Sequence, residues 1–353
     1  MAASSQQDSF VTRRPYQTIG LVVGLLVLVY LATQLIEILF TVFAGILLAV
    51  FLSGIAQELT EDIHLPRPLA LLLTLVGLVG LVVGLWSLAG PDISEQVNAL
   101  AALLPDATER LAKQVRQSAQ QYKWLQQFVD PTQLLPPVSS VIGRVTNVFR
   151  GTLNILVNVF IILFIGIYGA AAPHVYVDGI VRMIPKARRG RAREVLHAIG
   201  RALRWWLTGR FVMMVIVGIL TGLGLQLAGI PSPVALGLVA ALFSFVPYLG
   251  PVLSVLPALL VASVLGVTKV LYVLLVYGTV QLLESYLITP LVQQQAVHIP
   301  PATVITAQFI GGLGAGAVGV LLATPLTVVV IVLVQTLYIE DVLGDEVSLL
   351  GEH

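Results

Sequence analysis

From Phe211 to Ile339 only Lys269 and Glu284 carry a formal charge. A carboxyl kept inside so long an apolar tract is costly, and it marks a candidate functional group. Helical spacing puts Tyr277, Gln281, Glu284 and Ile288 on one face, a polar patch on an otherwise apolar helix. A carboxyl there can take up and release a proton, which suits proton coupling. The structural alternative is a glutamate kept protonated, or bonded to backbone N–H groups, to specify the fold. Ser244, Tyr248 and Gln308 lie in or near breaks in the apolar sequence. There they either hydrogen-bond a hydroxylated solute or satisfy freed backbone groups. Lys269 stands at a predicted helix start and is expected to snorkel to the interface. His298, before Ile299-Pro300, reads as a loop residue.

Other chemistries lack their residues. The chain has no cysteine, which excludes disulfides, thiolate metal sites and Cys nucleophiles. H-E-x-x-H, G-x-S-x-G and P-loop motifs are absent, so the chain is not expected to be an enzyme or an ATP-driven pump. No metal site and no cofactor are expected, and any coupling energy must come from a gradient or passive flow. Gly314, Gly316 and Gly319 spell G-x-G-x-x-G, but that fingerprint needs a strand in a βαβ unit, and here the flanks read as membrane helix.

The elements around Glu284 repeat an order. A long apolar helix at about 207 to 228 precedes Ile230-Pro231, and two shorter pieces follow, broken at Phe245-Val246-Pro247-Tyr248-Leu249-Gly250-Pro251. A second long helix at 270 to 289 precedes Ile299-Pro300-Pro301, and its two pieces break at Gly311-Gly312-Leu313-Gly314-Ala315-Gly316. Irregular backbone at membrane depth is tolerated only when buried in protein or facing a wet cavity. Pro247, Gly250, Pro251, Gly311, Gly312, Gly314 and Gly316 are therefore expected to break two re-entrant hairpins, entering from opposite faces as an inverted repeat. If 231–267 and 301–337 cross fully instead, the parity of the count is unchanged. Gly80/Gly84 and Gly218/Gly222 have small-xxx-small spacing and read as helix packing.

Composition sets the solvent. The chain is 57% hydrophobic and 10% charged with a mean hydropathy of +0.95, against roughly 25% charged for soluble domains. A bilayer core needs roughly 20 apolar residues per helix. The expectation is an all-α polytopic membrane protein with about eight membrane segments. Residues 1–90 supply N-terminal helices: spans at 18 to 36 and 38 to 56, with one long tilted helix as the alternative, and a third at 68 to 90. No cleavable signal is expected at the N-terminus. Residues 91–150 read as extracytoplasmic amphipathic helices and 151–172 as a fourth span. The segment 173–206 reads as a basic cytoplasmic loop, 207–339 as the core and 340–353 as an acidic cytoplasmic tail. Arg182, Lys186, Arg188, Arg189, Arg191, Arg193, Arg201, Arg204 and Arg210 face only Asp178 and Glu194 between Pro173 and Arg210. By the positive-inside rule that stretch is cytoplasmic, with a lipid-headgroup or nucleic-acid patch as its alternative reading. A net charge of +1 gives no global basic excess, and no nucleic-acid partner is expected.

Three stretches carry a family resemblance: Phe245 to Pro251, Gln281 to Pro290, and Gly311 to Gly319 followed by Ala323-Thr324-Pro325-Leu326. In this order they resemble the autoinducer-2 exporter family of bacterial inner-membrane permeases, over about Gly200 to Asp345. Leu134-Leu135-Pro136-Pro137 and the basic stretch resemble the family in layout only. The resemblance implies a multi-span secondary transporter, oligomeric with itself, exporting a small polar hydroxylated signalling molecule through the inner membrane. Members of similar sequence are also assigned sodium/proton exchange, so a cation/proton antiporter is the alternative, and a non-transporting scaffold recruiting a partner through 92–150 is a further one. The run Gln293-Gln294-Gln295 lacks the basic residue that many relatives carry there.

Overall fold

The computed structural model describes residues 14–80, 83, 84, 87, 113, 152–292 and 299–345, with side chains within 35–80, 157–290 and 299–345 and at 83, 84, 87 and 113. The amphipathic segment 91–150 and the glutamine run 293–295 lie outside these, except for the helical Lys113, as does His298. Every regular element among the described residues is helical.

Helix α1 runs unbroken over Arg14–Ile63. The two spans expected at 18 to 36 and 38 to 56 are therefore one helix, the alternative of one long rod. Glu37 is a good helix former with neither Gly nor Pro beside it, so nothing there ends the hydrogen-bond ladder. The four-span count between Arg13 and the basic stretch rested on that break. α1 stops at His64, whose φ is +58°, just ahead of Pro66. Helix α2 follows over Arg67–Gly80.

Helix α3, Thr152–Ala171, packs along α1 through small residues: a Cβ on Gly45 would lie 2.7 Å from Ile165, and one on Gly169 2.8 Å from the Ala49 side chain. Such close approach supplies the dispersion contacts that hold helices together in lipid, where no hydrophobic force separates them from tails. Pro173 has no N–H to continue α3. The chain bends by 88° into α4, Pro173–Arg182. After a short turn at Lys186–Arg188, α5 runs over Arg189–Leu227. The stretch expected as a basic loop is thus mostly helix.

α6, Pro233–Ser244, has 12 residues, and α7, Leu249–Leu265, has 17. At about 1.5 Å per residue neither spans the roughly 30 Å of a hydrocarbon core. They form the first hairpin, turning at Phe245 to Tyr248, and Tyr248 takes φ +63°. α8, Val267–Leu283, widens into a π-helical turn at Glu284–Ile288 and ends with Thr289–Val292.

α9 covers Pro301–Leu333, but its backbone departs from helical geometry at Ala315 (φ −136°, ψ 21°) and Gly316 (φ +58°, ψ −138°). A Cβ on Gly311 would lie 2.5 Å from the Gly319 carbonyl oxygen, and one on Gly319 would strike the carbonyl of Gly311. In a straight helix those residues would be about 12 Å apart. The chain therefore folds back at 315–316, where glycine takes a φ closed to most side chains. Pro301–Leu333 is a second helical hairpin, and its last leg continues as a π-helical stretch over Val334–Leu343.

The core joins these pieces. Leu47 of α1, Ala198, Leu203 and Trp206 of α5, and Leu322, Val328 and Val332 of α9 form one cluster, with Phe245 against it. Leu225, Leu236, Ala258, Val261 and Val273 form another between α5, both legs of the first hairpin and α8. Gly218 and Gly222 serve packing, as expected: a Cβ on Gly237 would sit 2.8 Å from the Gly218 oxygen and 2.9 Å from Gly222 Cα. The same spacing at Gly80 and Gly84 brings no close approach among the described residues: a Cβ on either would meet nothing within 4 Å.

Among the described residues, four helices are long and apolar enough to cross a membrane, and the bent pair Val157–Ala171 and Pro173–Arg182 makes up to five. One of the four, Pro301–Leu343, contains the reversal at 315–316. The expected third span at 68 to 90 is continuously described only to Gly80.

Candidate functional site

Glu284 is buried, 7% exposed, on a stripe of α8 with Val273, Val280 and Ile288. It opens the π-helical turn, which widens the backbone at that point. Facing it is a residue from α5. Trp206, Arg210, Met213 and Val217 repeat at intervals of three and four, so Arg210 falls on the buried face and is 4% exposed. Arg210 and Glu284 attract one another electrostatically, without a salt bridge between them.

Arg210 is anchored instead on the first hairpin. Its Nε donates to the carbonyl oxygen of Phe245 at 3.0 Å, while its Nη2 is buried without a hydrogen-bond partner. Trp206, one turn earlier, meets the Phe245 ring edge-on at 5.6 Å. A second side chain grips the same turn from the other hairpin: Gln308, 1% exposed, donates from Nε2 to the Pro247 carbonyl oxygen at 2.9 Å. Its Oε1 is buried and unpartnered. The Phe245 carbonyl freed by the break is thus met by a side chain of α5, and the Pro247 carbonyl, which also accepts from the Leu249 N–H at 2.7 Å, takes a second donor from α9.

The expected site residues separate accordingly. Glu284, Gln308 and Tyr248 gather at or near the first tip, and Tyr248 is half-exposed beside the field of Arg210. Ser244 is buried, and its hydroxyl donates to Ala241 of its own helix at 2.8 Å, a backbone role. Tyr277 donates to the Ser254 carbonyl oxygen at 3.1 Å, clipping α8 to the second leg of the hairpin. Gln281 is exposed and reaches Ser285 at 3.3 Å, so it does not share the buried face of Glu284 as the spacing led us to expect. The buried stripe follows Val280 and Glu284, four apart, and leaves position 281 a full 100° around the helix from Val280. Gly250 and Pro251 stand in the first turn of α7, where a Cβ on Gly250 would collide with the Phe243 carbonyl. Gly311, Gly312 and Gly314 are helical, and the second break is confined to Ala315 and Gly316.

Lys269 does not merely snorkel. Its Nζ donates to Ala228 O at 2.6 Å, capping the C-terminal end of α5, and lies 5.7 Å from the Tyr272 ring centre. Arg210 is the residue the sequence reading passed over, counting it as the last of the basic stretch. Its signal was phase: it falls four residues after Trp206 and three before Met213, at the start of an apolar run.

Near the N-terminal end of α5, Arg191 ties the C-terminal segment down. It pairs with Glu340 at 2.8 Å and Asp341 at 2.9 Å, and donates to Thr336 O at 2.9 Å. Its pairing with the carboxylates of Glu340, then Asp341, holds its guanidinium above the ordinary arginine value. The start of the basic stretch and residues 336–341 therefore lie on one side of the molecule. A cleft of about 580 Å³ opens between them, lined in part by Arg193, His197 and Arg201.

Long apolar helices, a second hairpin whose first leg bonds the tip of the first, and a buried charge pair beside that tip are the architecture of a helical membrane protein. The chain belongs to the AI-2E transporter family, whose sequence profile matches residues 19–339. YueF of Bacillus subtilis is 29% identical over 307 residues, 81% of this chain and 80% of that protein. YrrI of the same organism is 25% identical over 314 residues, 82% of this chain and 84% of its own. YhhT of Escherichia coli is 22% identical over 279 residues, 76% of each. Their names class them, provisionally, as transport proteins and state no solute.

Proposed function

We propose that the protein is a secondary transporter that exports a small polar solute of the autoinducer-2 type across the bacterial inner membrane, with Glu284 as its proton-coupling group. The observation that carries this reading is the double engagement of Arg210: it holds the Phe245 carbonyl of the hairpin tip while facing Glu284 across a buried site. With Glu284 ionised, the guanidinium charge has its counter-charge and the tip is held. With Glu284 protonated, a lone cation remains buried, which costs several kcal/mol unless the site opens to water or solute. A proton is thereby exchanged for movement of a hairpin. In this reading both hairpins re-enter from opposite faces as an inverted repeat, placing the tip contact near mid-membrane. The basic stretch is cytoplasmic, and the Arg191 pairs with Glu340 and Asp341 put the C-terminal segment on the same side.

The experiment is efflux of a labelled autoinducer-2-type furanose from proteoliposomes, with and without a proton gradient, for wild type, Glu284→Gln, Arg210→Gln and the double variant. We expect gradient-dependent flux in wild type and gradient-independent residual flux in Glu284→Gln. Wild-type flux indifferent to the gradient would remove the coupling, and no flux would remove this solute. A second reading, cation/proton exchange, is favoured by the unpartnered Gln308 Oε1 beside the Pro247 tip, an oxygen donor suited to a hard cation. Sodium-driven proton movement in the same vesicles separates the two.

A further inference from the structure

α4 has a geometry that transport does not use. The preceding helix, Thr152–Ala171, has 20 residues and by itself reaches the roughly 30 Å of a hydrocarbon core. The 88° bend at Ala172 then turns the chain out of that direction. If α3 crosses the bilayer, α4 runs parallel to its surface.

The faces of α4 fit that position. Tyr176, Ile180 and Met183 repeat at four and three residues, and they are 52%, 50% and 88% exposed. The opposite side is pinned to the protein: Val181 is buried, and Asp178 accepts a hydrogen bond from Arg193 of α5 at 2.6 Å. Arg189 donates to the carbonyl oxygens of Ile184 at 3.0 Å and Arg182 at 3.1 Å, fixing the turn that follows. The apolar stripe is therefore held outward by ion pair and backbone contacts, with a tyrosine on it, as at membrane–water boundaries.

The charges beside the stripe are divided. Arg193 is taken by Asp178, and Arg191 by Glu194, Glu340 and Asp341. Arg182, Lys186 and Arg188 are exposed and have no hydrogen bond or ion pair from their side chains among the described residues. Three free cations next to an outward apolar stripe complement a phosphate-bearing surface over an acyl layer.

We infer that α4 lies in the plane of the membrane surface, with Tyr176, Ile180 and Met183 sunk to the headgroup boundary and Arg182, Lys186 and Arg188 holding the headgroups of anionic phospholipid. The helix is then a lipid-bound foot on which α5 stands. The three charges together are worth on the order of a hundredfold in affinity for an anionic surface.

The natural chain has no cysteine, so single spin labels at Tyr176→Cys, Ile180→Cys and Met183→Cys report depth without background. In phosphatidylethanolamine vesicles containing phosphatidylglycerol, collision with oxygen against a nickel chelate should place all three at one depth, at the headgroup boundary. A depth that changes by about 10 Å from 176 to 183, the rise of a helix running along the membrane normal, overturns the in-plane position. Phosphatidylglycerol retained through detergent washing should fall at least tenfold in affinity in the triple variant Arg182→Gln, Lys186→Gln, Arg188→Gln. Equal retention in variant and wild type overturns the lipid site. If the triple variant does not fold, salt titration of wild type decides: retention must weaken as ionic strength rises, and salt-independent retention overturns the proposal.

Discussion

Gln308, on the first leg of the second hairpin, donates a hydrogen bond to the Pro247 carbonyl oxygen at the tip of the first, at 2.9 Å. One amide thus joins the two halves of the transport core. Replacing it with leucine keeps the bulk and removes the only side-chain hydrogen bond to that carbonyl among the described residues, leaving it the Leu249 N–H alone. Gln308→Leu should lower stability in detergent by about 0.5–1.5 kcal/mol, read from thermal unfolding. A variant as stable as wild type would mean that the Leu249 N–H alone satisfies the tip carbonyl.

Close backbone approach gives a second expectation, and a control within the same chain. A side chain on Gly319 runs into the Gly311 carbonyl, whereas one on Gly80 meets nothing within 4 Å among the described residues. Gly319→Ala should cost about 1–3 kcal/mol because the hairpin legs must separate. Gly80→Ala should fall within about 0.5 kcal/mol of wild type. Equal melting temperatures for the two would place the reversal elsewhere than Ala315 and Gly316.

The Arg191 cluster carries a pH signature. Its pKa is raised in the folded protein, chiefly by its pairing with the Glu340 carboxylate and then with that of Asp341. A raised cation contributes fully below its unfolded value and is lost only as pH rises through the folded one, beyond the arginine range. With side chains 28%, 34% and 38% exposed, the pairs with Glu340 and Asp341 are screened. Arg191→Gln should therefore cost about 1 kcal/mol or less, by an amount constant from about pH 7 to pH 10 and shrinking with salt. Denaturant titrations at several pH values check it, and a difference that vanishes toward pH 10 would contradict the assignment.

Legibility in the sequence followed the range of the forces involved. The first break is local: Pro247 and Pro251 cannot donate to a helix, and Gly250 admits the Phe243 carbonyl, so the tip can be read from a few adjacent residues. The Gly218/Gly222 packing was legible for the same reason. The continuity of α1 is open in the sequence, because a hydropathy window sets length and not the absence of a break. Arg210 was hidden by adjacency: counting charges groups it with Arg201 and Arg204, while helix phase turns it inward toward a carboxyl 74 positions later. The partner of Gln308 lies 61 positions away, and no pattern within either segment names it. Polar groups near the breaks were foreseen as candidates for solute or for backbone, and Ser244 and the Nε2 of Gln308 went to backbone.

α5 runs from Arg189 to Leu227 without a Pro or a kink. Arg191, near its outer end, grips the tail, and Arg210, about 28 Å further along at roughly 1.5 Å per residue, grips the hairpin tip. A hydrogen-bonded helix of that length is stiff along its axis, so the two grips share one push rod. In the topology proposed above, a shift imposed on the tail from the cytoplasmic side is carried along that axis to the tip and the buried charge pair.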